Sequence, residues 1–231
     1  MELPQPDQEK VKGVVEREWN AALLRGVDRE LDDCGLEVHF VFDEIERSQY
    51  VVGVGANLRC VGGKKDESLS TTAVLDQLQS ADWTLEFTRR ARESMRDLEA
   101  RLNVRRSPPE EWIEILETGG AAQRSQAIAE CVQSEYRPCL EGLFPLFEEP
   151  PPLGVEAIGA VGRLGDENHL SRLAKLTASK DPETLLSALY AIQDIGGAKA
   201  QRYMQGIAEG HADPRMSKVA EQLLQEMKES N

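Results

Sequence analysis

Three histidines, four cysteines and two glycine-containing stretches are the residues of this 231-residue chain whose types and spacing bear on chemistry. A zinc site needs His, Cys or carboxylate ligands at short, fixed spacings. His39, His169 and His211 each stand alone, and Cys34, Cys60, Cys131 and Cys139 form no Cys-x-x-Cys pair. Gly53-x-Gly55 follows an apolar run, but position 58 is Leu and a second alternating run continues where a helix should begin. A dinucleotide-binding loop requires both the third glycine and the helix. Gly63-Lys64-Lys65 lacks the upstream Gly and the Ser/Thr of a phosphate loop, and no Gly-x-Ser-x-Gly elbow occurs. Carboxylates are abundant, at 41 Asp and Glu. Acid–base catalysis needs them paired in space, which sequence does not supply. No catalytic residue, cofactor or metal is therefore expected.

The remaining chemistry is that of a surface. The formal charge is −14, with 27 basic against 41 acidic residues, and both halves share it. Nucleic acids are bound chiefly by Lys and Arg neutralising phosphates, so the balance argues against them. An acidic surface instead suits a basic protein partner, or serves solubility alone. No stretch approaches the roughly 20 apolar residues of a membrane span. The start, Met1-Glu2-Leu3-Pro4-Gln5-Pro6-Asp7, has neither the basic residues nor the apolar run of an export signal. The expectation is a cytoplasmic chain with reduced cysteines.

The elements that must present such a surface announce themselves by repetition. Ala157-Ile158-Gly159-Ala160-Val161-Gly162-Arg163-Leu164-Gly165 recurs as Ala188-Leu189-Tyr190-Ala191-Ile192-Gln193-Asp194-Ile195-Gly196, 31 residues on. Looser copies start near Ala127 and Ala220. Asp181-Pro182 and Asp213-Pro214 precede two of the helices, Asp as N-cap and Pro at the first helical position. Gly165 and Gly196-Gly197 are expected as left-handed C-caps. Each closure leads to a second helix, one carrying Leu170, Leu173 and Leu176, the next Tyr203, Met204 and Ile207. Such a period marks stacked helix pairs that bury their apolar faces against one another.

The stretch from Gly154 to Ile207 resembles the bacterial HEAT-like repeats, also called phycobilisome-lyase-type repeats, with the 157–166 copy closest to their pattern and the 188–197 copy carrying Gly197 where Asp is usual. The resemblance implies a right-handed α-solenoid of three to four helix pairs over 106–231, whose second helices line a concave, protein-binding face. On that face the expected contacts are Arg172, Lys175, Gln201, Arg202 and Tyr203. Glu148, Glu149, Glu167 and Asp194 are their acidic counterparts. The function this implies is that of a non-enzymatic adaptor or inhibitor, one version being a cytoplasmic immunity protein that neutralises a basic toxin or effector. Similar repeats also build phycobilin lyases and DNA glycosylases, and a self-assembling structural protein is a third reading.

Residues 1–105 read as a small α+β unit, so the chain is expected to be mainly α overall. Val11, Val15, Trp19, Ala22, Leu23 and Val27 form a helical stripe closed by Gly35. Leu36, Val38, Phe40 and Phe42 alternate with polar residues, and Tyr50 to Val61 alternates again beyond a polar connection at 43–49, predicting a β-hairpin near 36–61. Gly62 to Ser68 reads as a loop. A long helix carrying Trp83, Phe87, Ala91, Met95, Leu98 and Leu102 follows, with Asp82 as its N-cap. Past Arg105, Ser107 is expected to cap a helix from Pro108, and a further helix is predicted over 136–148. Trp19, Trp83 and Trp112 sit on apolar stripes and are assigned to the core.

Overall fold

A computed structural model describes residues 34–46, 49–60, 67–72, 76–78 and 83–229, with single helical positions at Glu9, Gly13, Glu16 and Arg17. The stripe from Val11 to Val27, Asp82 and the side chain of Trp83 lie outside the described residues. The chain is mainly helical and divides into two compact units, Met1–Arg106 and Ser107–Asn231.

In the first unit, β1 (Cys34–Glu46) pairs antiparallel with β2 (Gln49–Cys60), opposing Leu36 to Leu58, Val38 to Ala56, Phe40 to Val54 and Phe42 to Val52. The polar connection assigned to 43–49 is shorter than expected. The ladder continues through Asp43 and Glu44, because its hydrogen bonds come from the backbone whatever the side chain. Gly35 lies within β1, opposite Arg59, rather than closing a helix. Glu67 and Ser68, read as loop, open β3 (Glu67–Thr72), which pairs with the second half of β2. A short β4 (Asp76–Leu78) pairs with the first half of β2. Polar Ser and Thr obscured β3, although Thr is a good strand former. Helix α1 (Trp83–Arg106) packs on β2 and β3. Ala91, Met95, Leu98 and Leu102 recur every three or four residues, so one stripe of α1 is buried.

The second unit opens with α2 (Pro109–Thr118) and α3 (Ala121–Gln133). Ser107 does not cap α2. Pro108 holds the N-cap position in the extended conformation that a following Pro imposes, with no side-chain cap bond. The helix predicted over 136–148 is instead three short pieces: a 3-10 turn at Arg137–Cys139, α4 (Leu140–Leu143), and a 3-10 turn at Phe144–Glu148. Pro138 and Pro145 each remove a backbone donor, which stops a continuous ladder.

Further helices then follow in turn: α5 (Leu153–Leu164), α6 (Leu170–Leu176), α7 (Pro182–Ile195), α8 (Gly197–Gly210) and a last helix α9 (Pro214–Glu229). The first helices α3, α5, α7 and α9 pack in chain order as one layer. The 137–148 segment, α6 and α8 form the other layer, each against its neighbouring first helix. Positions 31 apart bury alike: Ala157 and Ala188, Ile158 and Leu189, Ala160 and Ala191, Val161 and Ile192. Each large aliphatic side chain so buried contributes about 1.5–3 kcal/mol. Trp112 is likewise buried, at 4% exposure, edge-on to Tyr136.

The caps depart from expectation at one glycine. Gly165 is extended (φ −76°, ψ −178°), although its N–H still reaches the Val161 carbonyl at 2.9 Å. Gly196 and Gly197 do have positive φ, 66° and 80°, because α8 starts immediately and the reversal takes place within those two residues. Asp181 caps α7, its Oδ2 accepting the Thr184 N–H at 2.7 Å. Asp213 accepts the Arg215 N–H at 2.9 Å.

Both cap carboxylates are held below their ordinary 3.8, Asp181 first by the Thr184 side chain and then its N–H, Asp213 first by the Arg215 side chain. A depressed folded-state value means that the unfolded chain binds protons more readily. The stability these caps add is therefore present above the unfolded value and is lost as pH falls through the folded one. Urea midpoints should be flat near neutrality and drop below about pH 4. The double variant Asp181→Asn/Asp213→Asn should show a shallower acid limb, and an unchanged limb would remove these caps from the account.

The reduced-cysteine expectation is corrected for Cys131 and Cys139, while the side chains of Cys34 and Cys60 lie outside the described residues. Cys131 at the end of α3 and Cys139 are joined by a disulfide across eight residues, both fully buried. The turn between them brings the Cα atoms to 6.2 Å through Glu135 at φ 50° and a Tyr136 N–H bond to the Cys131 carbonyl at 2.8 Å. This pair therefore gives no support to a reducing compartment.

Candidate functional site

The side chains of the second-helix layer make the unit's most organised surface cluster. Phe144 lies in the 3-10 turn after α4, half-buried, placed by the break at Pro145. Phe147 meets it edge-on at 5.7 Å, and the His169 ring stacks on it at 5.7 Å and 22°. From the first turn of α6, Arg172 sets its guanidinium 3.9 Å above the Phe144 ring centre. The electron-rich ring face attracts that cation, by about 0.5–1 kcal/mol at an exposed site. Glu141 approaches Arg172 at 3.9 Å, but the two side chains are 81% and 50% exposed, so solvent screens the pair.

His169 is also tied to its own turn. Its Nδ1 lies 3.0 Å from both the Asp166 N–H and Asp166 Oδ1. A neutral ring accepts from the amide, and a protonated ring donates to the carboxylate. Asp166 is held below the usual carboxylate value, first by the Asn168 backbone N–H and further by the nearby His169 and Arg137. Lys199 at the start of α8 donates to the Glu167 carbonyl at 2.8 Å and joins the α6 turn to the next pair.

The expected contact residues separate on this frame. Arg172 and Lys175 are exposed on α6, and Arg202 is exposed on α8. Gln201 turns toward α9, its Nε2 donating to the Met227 carbonyl at 3.4 Å, so it binds the fold together. Tyr203 is half-buried. Glu148 is exposed, whereas Glu149 pairs with Arg124 of α3 at 3.0 Å, in the other layer. Glu167 is exposed in the turn before α6, and Asp194 stands on α7, again in the other layer. Arg172 is thus joined by residues that periodicity did not single out: Glu141, Phe144, Phe147 and His169. An aromatic pair three residues apart around a Pro was their only signal in the sequence.

Apart from this cluster, a concavity of about 750 Å³ opens between residues 177–182 and 206–216. Its polar groups serve each other. His211 Nδ1 accepts the Asp213 N–H at 3.0 Å, which leaves Nε2–H to donate to the Thr177 carbonyl at 3.0 Å. Arg215 closes on Asp213 at 3.0 Å. This is a clasp between successive turns with its hydrogen bonds already made. Among the described residues, no cluster of three or more His, Cys, Asp or Glu is placed to hold a metal ion, and no helix is long and apolar enough to cross a membrane. No protein-family profile matches the chain, and no characterised protein matches its sequence.

Proposed function

We propose that the second unit is a short right-handed α-solenoid of HEAT-like helix pairs that acts as a non-enzymatic protein-binding module, an adaptor or inhibitor, through its second-helix layer. The observation that carries this reading is Arg172 seated over Phe144 while half exposed. Arg and aromatic side chains dominate the energetics of protein interfaces. A guanidinium already ordered on a ring loses less freedom when a partner arrives. The neighbouring groups are hydrogen-bonded within the fold rather than converging on a substrate-sized space, which suits gripping over chemistry.

The test is photo-crosslinking from position 175 in native cell extract, with the chain as bait. One protein should be captured in near-stoichiometric amount. The double variant Phe144→Ala/Arg172→Ala should weaken its capture about tenfold or more, the loss of roughly 1.4 kcal/mol or above. Capture that survives this variant, or a crosslinked species that is not protein, would overturn the reading.

A further inference from the structure

We infer that Cys34 and Cys60 form a second disulfide, which locks the open end of the β1–β2 hairpin. Cys34 is the first residue of β1 and Cys60 the last of β2. The ladder sets them directly opposite each other, 26 positions apart in the chain. Opposed residues of an antiparallel pair share one face of the sheet. Their Cα atoms lie about 4.5 or about 5.5 Å apart, according to their place in the hydrogen-bond pattern. A disulfide accepts Cα separations of about 4.4–6.8 Å. Either kind of opposed pair meets that requirement with no movement of the strands.

A bridge at this position also has a register to hold. At the other end of the hairpin Glu46 pairs with Gln49, and the register shifts between Glu44 and Glu46. Counting by twos from Cys34 gives Leu36, Val38, Phe40 and Phe42, and from Cys60 gives Leu58, Ala56, Val54 and Val52. These are the apolar residues that the ladder opposes in pairs. A slip of one residue would send the whole set to the other face. A covalent tie between the first residue of β1 and the last of β2 excludes that slip. It fixes the start of β3 as well, since Cys60 also opposes Glu67.

With Cys131–Cys139 in the second unit, each unit then carries one bridge, and all four cysteines are paired. Full pairing belongs to proteins that fold where thiols are oxidised, which runs against the cytoplasmic expectation. Formation needs an oxidant, here a small-molecule disulfide. The thiolate of one cysteine attacks it, forms a mixed disulfide and releases one small thiol. The second cysteine's thiolate attacks the protein sulfur of that mixed disulfide and releases the other. The two cysteines lose two protons and two electrons, and the small disulfide gains them. The two bridges lie in different units, so reduction of Cys34–Cys60 acts on unfolding of the first and leaves the second to Cys131–Cys139.

Peptide mapping of the full chain tests the pairing. The reduced protein is equilibrated with oxidised and reduced glutathione, quenched in acid, alkylated in denaturant and digested with trypsin. Cleavage after Arg29, Arg47, Arg59 and Lys64 separates the two cysteines, so the bridge holds peptide 30–47 to peptide 60–64. That linked pair should be recovered, with neither peptide alkylated. In Cys34→Ser, Cys60 should instead appear alkylated or capped by glutathione, while Cys131 and Cys139 stay joined. Recovery of both peptides from the wild type singly alkylated or singly capped would overturn the inference, because opposed thiols displace glutathione from each other. A link from Cys34 or Cys60 to Cys131 or Cys139 would overturn it too.

Discussion

Gly162→Ala should destabilise the second unit by about 2 kcal/mol, whereas Gly159→Ala, one turn earlier in the same helix, should stabilise it by about 1 kcal/mol. The residues are alike and both lie within α5, so propensity alone favours alanine at each. The difference is what the new methyl group meets. At Gly162 it would lie 2.7 Å from the Ala191 Cα, 3.0 Å from its Cβ and 3.2 Å from its carbonyl oxygen. That neighbour is the backbone of α7, which cannot rotate aside as a side chain can. The two first helices must separate, and overpacking of this kind costs about 1–3 kcal/mol, occasionally more. At Gly159 nothing lies within 4 Å. The check is urea denaturation of both variants followed by far-UV circular dichroism. Equal midpoints would mean that α5 and α7 are not in close contact through Gly162. The small residue here sets the spacing of the layer on which the second helices ride.

Loss of the Cys131–Cys139 bridge is the second large effect expected. In the chain-entropy account a loop this short restricts the unfolded state by about 2.5 kcal/mol. Cys131→Ala/Cys139→Ala should lower stability by about that amount, and a reductant should lower the wild type but not the variant. The segment that would loosen runs from Ser134 to Pro138, and it leads directly into α4 and Phe144. The same treatment should therefore disturb the Phe144–Arg172 contact as well as the melting point. Thiol alkylation of native protein with mass analysis decides the matter. Modification of both Cys131 and Cys139 without unfolding would show that the bridge is absent.

The acidic caps, the aromatic–arginine cluster and the disulfide differ in how far the residues foretold them. Asp181 and Asp213 were readable because a cap is a local event: the carboxylate bonds an N–H two or three residues away. The buried set of α5 and α7 was readable because a 31-residue period repeats one packing problem. The break in the 136–148 helix was in plain view at Pro138 and Pro145, yet the repeat pattern overrode it. Gly165 misled for a related reason. Its type permits a left-handed cap, but the chain beyond it runs extended into the Asp166–His169 turn.

Local periodicity thus suffices for the helix pairs, their buried faces and their polar caps, since these depend on residues within a few turns of each other. What the partner would meet depends on residues distant in the chain. Phe144 and Arg172 are 28 positions apart, Glu167 and Lys199 are 32 apart, and Arg124 and Glu149 are 25 apart. No spacing rule links them, because each contact arises where one helix pair stacks on the next. Composition sums over the whole surface, and packing decides which side chains share a face.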